Sequence, residues 1–232
     1  MSIAEKFETV ADRVYEKGQQ NAMDDFIRRF TNNGARTNYC YAFCSTDFSG
    51  FTIEATPKRI GNMFSYYEGE TIPEGIDCSN AEVTGTSSTN SLANLCAYSK
   101  LKYFPDINIP AGHYWYASFR DCTELEEIEV IRMCEGSGAS TNVLFLNCKS
   151  LKKIKFEGVI PISIGFADSP LTVESMKSVI SCLKNYSGTS NEYKYTITLS
   201  SNCKTALEAE GTTSPNGNLW SEYIDDLGWT LL

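Results

Sequence analysis

The side chains most often used in catalysis and metal binding are sparse in this chain of 232 residues. Its single histidine, His113, precedes the aromatic run 114–116, and the nearest acidic residues along the chain are Asp106 and Asp121. A catalytic histidine needs a nucleophile and an orienting acid, and a metal site needs more ligands than one imidazole. We therefore interpret His113 as an ordinary histidine, either at the surface or between neighbouring structural units.

Two short motifs resemble parts of known active or metal sites. Ser99 and Lys102 form an S-x-x-K motif, which in serine-type acylases lies at the start of a helix. Here it stands at the entrance of a predicted strand, without the partner motifs of such enzymes. Cys40 and Cys44 form C-x-x-x-C, but no second cysteine pair or histidine completes a zinc ligand set. The sequence therefore predicts no catalytic residue, no metal site and no cofactor, and hence a protein that is not an enzyme.

The charge balance and the apolar runs limit the classes of partner. The net charge of −9 disfavours a nucleic acid, because phosphate binding needs clustered Lys and Arg, and the basic run 152–155 is too short to change this. The N-terminal residues lack the apolar core of a secretory signal, and no apolar run approaches the length of a membrane helix, about 20 residues. We expect no membrane insertion, synthesis in a cytoplasm, and association with a virion as one destination.

Without secretion, the nine cysteines are expected to be reduced thiols that behave as small hydrophobic side chains. We expect Cys122 and Cys148 to be buried at equivalent places, since they occupy the same position in two similar segments.

These two segments belong to a repeat. FRDCTELEEIEV at 119–130 aligns without gaps with FLNCKSLKKIKF at 145–156, and the two share Phe, Cys, Leu and Ile at the same positions. The same template fits Leu95, Tyr98, Leu101 and Phe104, fits 42–53 more weakly, and fits 166–171 in truncated form. Self-similarity at a period of roughly 26 residues is typical of a solenoid, in which each unit buries its apolar face against its neighbours.

Each template position has a physical role. The Leu-x-x-Ile-x-Val segment reads as a short strand whose apolar residues point inward, because side chains alternate between the faces of a strand. The Cys follows Asp121 or Asn147 at a turn, and the Phe fills the layer behind it. The pattern Phe-x-x-Cys-x-x-Leu-x-x-Ile resembles the BspA-type leucine-rich repeat. This resemblance implies a leucine-rich-repeat solenoid and a protein of the kind found on bacterial surfaces and in phages or prophages of gut bacteria.

The predicted fold is α+β: a leucine-rich-repeat solenoid over 35–170, with short parallel strands and irregular repeats, between two different ends. Residues 1–34 read as a helical segment with an apolar stripe, which either caps the solenoid or joins copies of the chain into a homo-oligomer. We favour the cap, because the stripe is too apolar to remain in water. Residues 171–232 are predicted to form an α/β cap, with a helix after Thr172, a strand over 193–199 and a closing strand over 228–232.

The outward positions of the predicted strands form the candidate binding surface. They are Lys102, Tyr103, Glu126, Glu127, Glu129, Lys152, Lys153 and Lys155. In a parallel stack the three glutamates should lie beside the three lysines, which occupy the equivalent positions of the next repeat, and opposite charges would then face each other. Aromatic side chains are frequent interface anchors, which favours Tyr103. Trp115 is the competing anchor if it is exposed, and a core residue if it is buried.

We therefore predict a non-catalytic protein-binding module that uses Tyr103, Glu127, Glu129, Lys153 and Lys155, or Trp115 on the other face. The repeat resemblance favours a phage-encoded attachment or decoration protein of a virion or surface. An intracellular, phage-encoded inhibitor that binds a host defence protein is the alternative. An enzyme is the least favoured class, because no nucleophile, base and orienting group can be named.

Overall fold

The computed structural model describes residues 42–82, 92–135, 137–139, 143–209 and 214–232. The helical segment expected at 1–34, with its role as a cap or as an assembly element, lies outside these residues. The described residues from 42 onward belong to one compact unit.

Short strands dominate the described chain, and its three helices lie between the last three strands. The strands are β1 (Thr52–Ala55), β2 (Glu74–Ile76), β3 (Tyr103–Phe104), β4 (Tyr114–Trp115), β5 (Glu127–Met133), β6 (Gly138–Ala139), β7 (Lys153–Gly158), β8 (Ile164–Phe166), β9 (Tyr195–Leu199) and β10 (Trp229–Leu231). The helices are α1 (Val173–Ser181), α2 (Ser201–Ala209) and α3 (Trp220–Asp226).

The strands pair in four small sheets, and every ladder is parallel. β1 pairs with β2, β4 with β6, the third sheet has the order β3-β5-β7, and the fourth has the order β10-β9-β8. None of these sheets closes on itself. The described chain is therefore a mixed α/β structure of short parallel strands, as the sequence predicted at this level. Among the described helices, none has the length and apolar character of a membrane span.

The register of the central sheet agrees with the alignment of the repeats. Glu127 lies beside Lys153, Ile128 beside Ile154, and Tyr103 beside Glu127. Beyond Ile128 the register shifts, so that Ile131 lies beside Phe156. The shift is a β-bulge, in which one extra residue of β5 is accommodated against β7.

A second set of backbone contacts joins the turns that precede these strands. The Asp121 N–H donates to the Leu146 carbonyl, and in the same way the Tyr98 N–H donates to the Arg120 carbonyl. Tyr98 is therefore the equivalent of Asp121, and its predicted alignment with Cys122 was wrong by one position. Ser99 Oγ is the group beside Cys122 Sγ, at 3.4 Å. The strand register is nevertheless kept, because the segment from Cys122 to Leu125 is one residue longer than its counterpart.

The core is built from equivalent side chains of successive turns and strands. Phe145 stacks on Phe119 at 5.9 Å and on Phe166 at 4.8 Å between ring centroids. Cys122 and Cys148 are both fully buried, which confirms their predicted placement, and their thiols donate to the carbonyls of Cys96 and Phe119. Eight cysteines lie in the described residues and all are free thiols.

Helix α1 covers the outer edge of β7. It begins after Thr172, whose side-chain oxygen accepts a hydrogen bond from the Ser175 N–H, so the predicted start of this helix is confirmed. Ser175 Oγ in turn accepts from the Ile154 N–H at 3.0 Å, and Ser178 Oγ accepts from the Phe156 N–H at 3.2 Å. Two serine hydroxyls thus satisfy donors that an adjacent strand would otherwise satisfy.

Candidate functional site

The outward face of the β3-β5-β7 sheet carries rows of opposite charge. Lys152 Nζ lies 3.2 Å from Glu126 Oε2, and Lys153 Nζ lies 3.2 Å from Glu127 Oε2. These pairs are the ones that the repeat alignment predicted, and the structure confirms them. We call this surface the strand face; it comprises Lys102, Tyr103, Glu126, Glu127, Glu129, Lys152, Lys153 and Lys155.

The third predicted pair, Glu129 with Lys155, was wrong. The bulge in β5 shifts the register after Ile128, so Glu129 turns toward β3. Its Oε2 accepts hydrogen bonds from the Tyr103 hydroxyl at 2.6 Å and from the Asp106 N–H at 3.0 Å. These hydrogen bonds hold the pKa of Glu129 below its usual value. Lys155 instead pairs with Glu157 on its own strand, at 2.7 Å.

Arg132, near the end of β5, links this group to the next strand. Its guanidinium donates two hydrogen bonds to Asp106, at 2.8 and 2.5 Å, and its Nε lies 3.2 Å from Glu157. The hydrogen bond from Arg132 holds the pKa of Asp106 below its usual value. Bidentate pairs of this kind are geometrically specific, so Arg132 fixes the position of Asp106 and, through the Asp106 N–H, of Glu129.

Tyr103 is held in a defined orientation at this surface. Its ring is half-buried, and the hydrogen bond to Glu129, with smaller contributions from burial and from neighbouring carboxylates, raises its pKa to about 12. The hydroxyl therefore stays protonated and remains a donor at physiological pH. A half-buried ring with a fixed hydroxyl loses little conformational freedom when a partner covers it.

Trp115 belongs to the core and offers no exposed surface. It is 1% exposed, and its indole stacks on Phe119 with the ring centroids 6.1 Å apart. The alternative prediction, that Trp115 is an exposed anchor, was therefore wrong. His113, two positions earlier, is also buried, and burial lowers its pKa to about 4, so of the two placements that the sequence left open, the surface is ruled out.

A cleft of about 430 Å³ opens next to the strand face, between β2 and β3. The two chain segments are joined at both ends of the cleft, where the Lys102 N–H donates to the Glu70 carbonyl and the Cys78 N–H to the Ile107 carbonyl. Between these points β2 and β3 belong to different sheets.

Three residues explain why β2 and β3 do not pair with each other. Pro73 stands directly before β2 and Pro105 directly after β3, and proline has no N–H to donate to a ladder. Gly75, inside β2, has φ +84°, a left-handed conformation that turns the chain out of the extended path. The sequence reading did not predict this cleft, although its two prolines and one glycine were visible there.

The sequence reading also missed an exposed aromatic pair on the turns. Tyr66 and Tyr98 stack with their ring centroids 4.8 Å apart, and they are 53% and 39% exposed. The Arg120 guanidinium lies over the Tyr98 ring at 5.7 Å. Both tyrosines adopt positive φ, which a β-propensity reading does not anticipate for an aromatic residue.

The remaining motifs form no reactive group within the described residues. Ser99 is buried beside Cys122, whereas Lys102 Nζ pairs with Glu70 at 2.5 Å, so the S-x-x-K residues are engaged separately. In the described part of the chain, no three histidine, cysteine, aspartate or glutamate side chains converge on a possible metal position.

Comparison with known proteins finds no match among protein-family models, curated proteins or solved structures.

Proposed function

We propose that this protein is a non-catalytic recognition module that binds a protein partner through the strand face. The observation that carries this proposal is that two glutamates at the start of β5 pair with two lysines at the start of β7, with Tyr103 held next to them on β3. A surface of mixed charge with one positioned aromatic side chain is suited to a protein partner. It is poorly suited to a phosphate backbone, which requires clustered cations.

We further propose that the described strands and turns form the irregular leucine-rich-repeat solenoid that the BspA-type resemblance implies. Support comes from the parallel pairing of equivalent strands and from the stacked Phe119, Phe145 and Phe166. Repeat stacks of this kind present a continuous surface to which each unit contributes a few side chains. The same resemblance suggests a place on a phage particle or a bacterial surface, where attachment requires such a surface.

The charged rows contribute more to recognition than to stability. Their side chains are between 39% and 64% exposed, and exposed ion pairs contribute only about 0.2–1 kcal/mol each. Charges at a protein surface chiefly steer association and reject wrong partners. Exchanging the two charges of one pair should therefore alter binding while the fold is maintained.

The exchange of Glu127 and Lys153 tests the proposal. The variant E127K/K153E keeps the ion pair and the net charge but reverses the pattern that a partner meets. We expect capture of the partner from virions or from host lysate to fall at least about tenfold relative to the wild type, with unchanged melting temperature. Undiminished capture by the folded variant would contradict the proposal. The matched control is E135K/K184E, which exchanges the charges of the Glu135–Lys184 ion pair outside the strand face.

A further inference from the structure

We propose that the cleft between β2 and β3 is a pocket for an arginine side chain of the protein partner. This inference deepens the proposed function, on which it rests, by naming the chemistry of one contact. The cleft volume of about 430 Å³ lies within the range of about 300–1,000 Å³ that is usual for ligand pockets.

The walls of the cleft are largely apolar, and the charged side chains among its described lining residues are acidic. Ile72, Pro73, Ile76, Pro105 and Ile107 line it together with the ring of Tyr103. These side chains suit the methylene stem of a long basic residue, which packs on apolar surface while its charged end stays near polar groups. The flat guanidinium also stacks on aromatic rings, which an ammonium group does less well.

Glu74 and Asp106 are the charged residues among the described residues that line the cleft. Asp106 is already engaged by Arg132. Glu74 is exposed, and in the described part of the chain no lysine or arginine pairs with it. A carboxylate of this kind can accept a bidentate pair of hydrogen bonds from a guanidinium. The Asp106–Arg132 pair already shows this chemistry on one wall of the cleft.

The cleft is also held open without a ligand. The hydrogen bonds from Lys102 to Glu70 and from Cys78 to Ile107 fix its two ends, while Pro73 and Pro105 prevent β2 and β3 from closing into a ladder. Any residue other than glycine would be strained at position 75, because φ is +84° and a Cβ there would lie 3.1 Å from the Ile53 carbonyl oxygen. An arginine would therefore enter a cleft that needs no rearrangement, and this limits the free-energy cost of binding.

The test is a titration of the full ¹⁵N-labelled chain with N-acetyl-arginine amide, followed by amide chemical shifts. We expect saturable shifts confined to residues 71–76 and 103–107, with a dissociation constant in the millimolar range. N-acetyl-citrulline amide has the same shape without the charge, and its binding should be at least about tenfold weaker. Equal binding of both probes, or shifts that spread over surface carboxylates without saturation, would overturn the inference.

Two variants address charge and shape separately. Glu74→Gln should weaken arginine amide about tenfold, whereas Glu174→Gln, the same change on α1, should leave its binding unaltered. Thr71→Trp adds a large ring at an exposed residue of the cleft lining and should abolish binding although every carboxylate remains. Unchanged affinity in either cleft variant would overturn the pocket.

The arginine pocket can be wrong while the strand face still binds a partner, and one variant separates these two outcomes. E127K/K153E changes residues outside the cleft lining, so it should bind arginine amide as the wild type does. Arginine amide that does not bind, together with partner capture that is lost in E127K/K153E, would overturn the pocket alone. Capture that persists in that variant would contradict the proposed role of the strand face.

Discussion

At the scale of single residues, burial separates side chains that look alike in the sequence. Tyr103 and Trp115 were both candidate anchors. The alternation of β3 places Tyr103 at the surface and Phe104 inside, which the repeat template predicts. Trp115 lies in a two-residue strand beside another aromatic residue, so its sequence context has no polar alternation to indicate a face. Its burial follows from packing on Phe119, a contact that no local pattern encodes.

Burial of His113 should make the stability of the protein depend on pH. Its pKa is lowered to about 4 by burial, whereas an unfolded histidine has a pKa of about 6.5. Between these values the unfolded chain binds more protons than the folded one, so the free energy of unfolding must fall as the pH drops from about 6.5 to about 4. Because the chain has one histidine, its imidazole Hε1 proton NMR resonance reports this pKa directly. A midpoint near 4 is expected, and a midpoint near 6.5 would contradict the buried placement.

At the scale of elements, the repeat alignment predicted which strands would be neighbours. The similarity of 119–130 and 145–156 indicated the pairing of Glu127 with Lys153, which the structure has. The bulge was missed, although Val130 and Ile131, two consecutive buried residues, interrupt the strict alternation of a regular strand. An extra residue of this kind can be placed only when the partner strand is known.

The ion pair between β5 and β7 can be measured by a double-mutant cycle. Glu127→Ala, Lys153→Ala and the double variant should give a coupling free energy of about 0.2–1 kcal/mol in urea unfolding at low salt, decreasing as salt is added. The matched cycle pairs Glu129→Ala with Lys155→Ala, which the bulge separates, and it should give a coupling near zero. Equal coupling in both cycles would contradict the register shift.

The serine hydroxyls of α1 that accept hydrogen bonds from β7 should contribute to stability. Ser175→Ala and Ser178→Ala each remove the acceptor of a β7 N–H, and each should lower the free energy of unfolding by about 1–2 kcal/mol. Ser181→Ala is the control, because its exposed hydroxyl donates to the Lys177 carbonyl within the same helix. Thermal melting of the three variants should show losses for the first two only. A loss in Ser181→Ala as large as theirs would indicate a general effect on the helix.

At the scale of the whole molecule, the sequence predicted parallel short strands but not the opening between β2 and β3, which belong to different sheets. The opening between β2 and β3 depends on Pro73, Gly75 and Pro105 acting together across two segments. Each of these residues alone indicates only a turn or a strand end. The cleft is therefore a product of the assembled fold, and so is the presence of Glu74 and Asp106 together in its lining.

The reactivity of the cysteines should report both their burial and their oxidation state. Five of the eight free thiols in the described part are buried, and burial raises the pKa of Cys78 to about 12. A thiol reagent should therefore react slowly with most cysteines of the native protein, since the thiolate is the reactive form. In denaturant without reductant, all nine cysteines should react. A count of seven or fewer would show that disulfides form, and would contradict the reduced state expected from the sequence.

Site-specific photocrosslinking can establish whether a protein partner binds the strand face of β3, β5 and β7. A benzoyl-phenylalanine placed at Lys155 lies on that face and leaves the Glu127–Lys153 pair intact, and one placed at Glu174 lies on α1, so the two positions compare two surfaces of one folded protein. In virions and in host lysate, the probe at Lys155 should give a discrete adduct with one partner, and the probe at Glu174 should give none. An adduct at Glu174 with none at Lys155 would place recognition elsewhere and contradict the proposed role of the strand face.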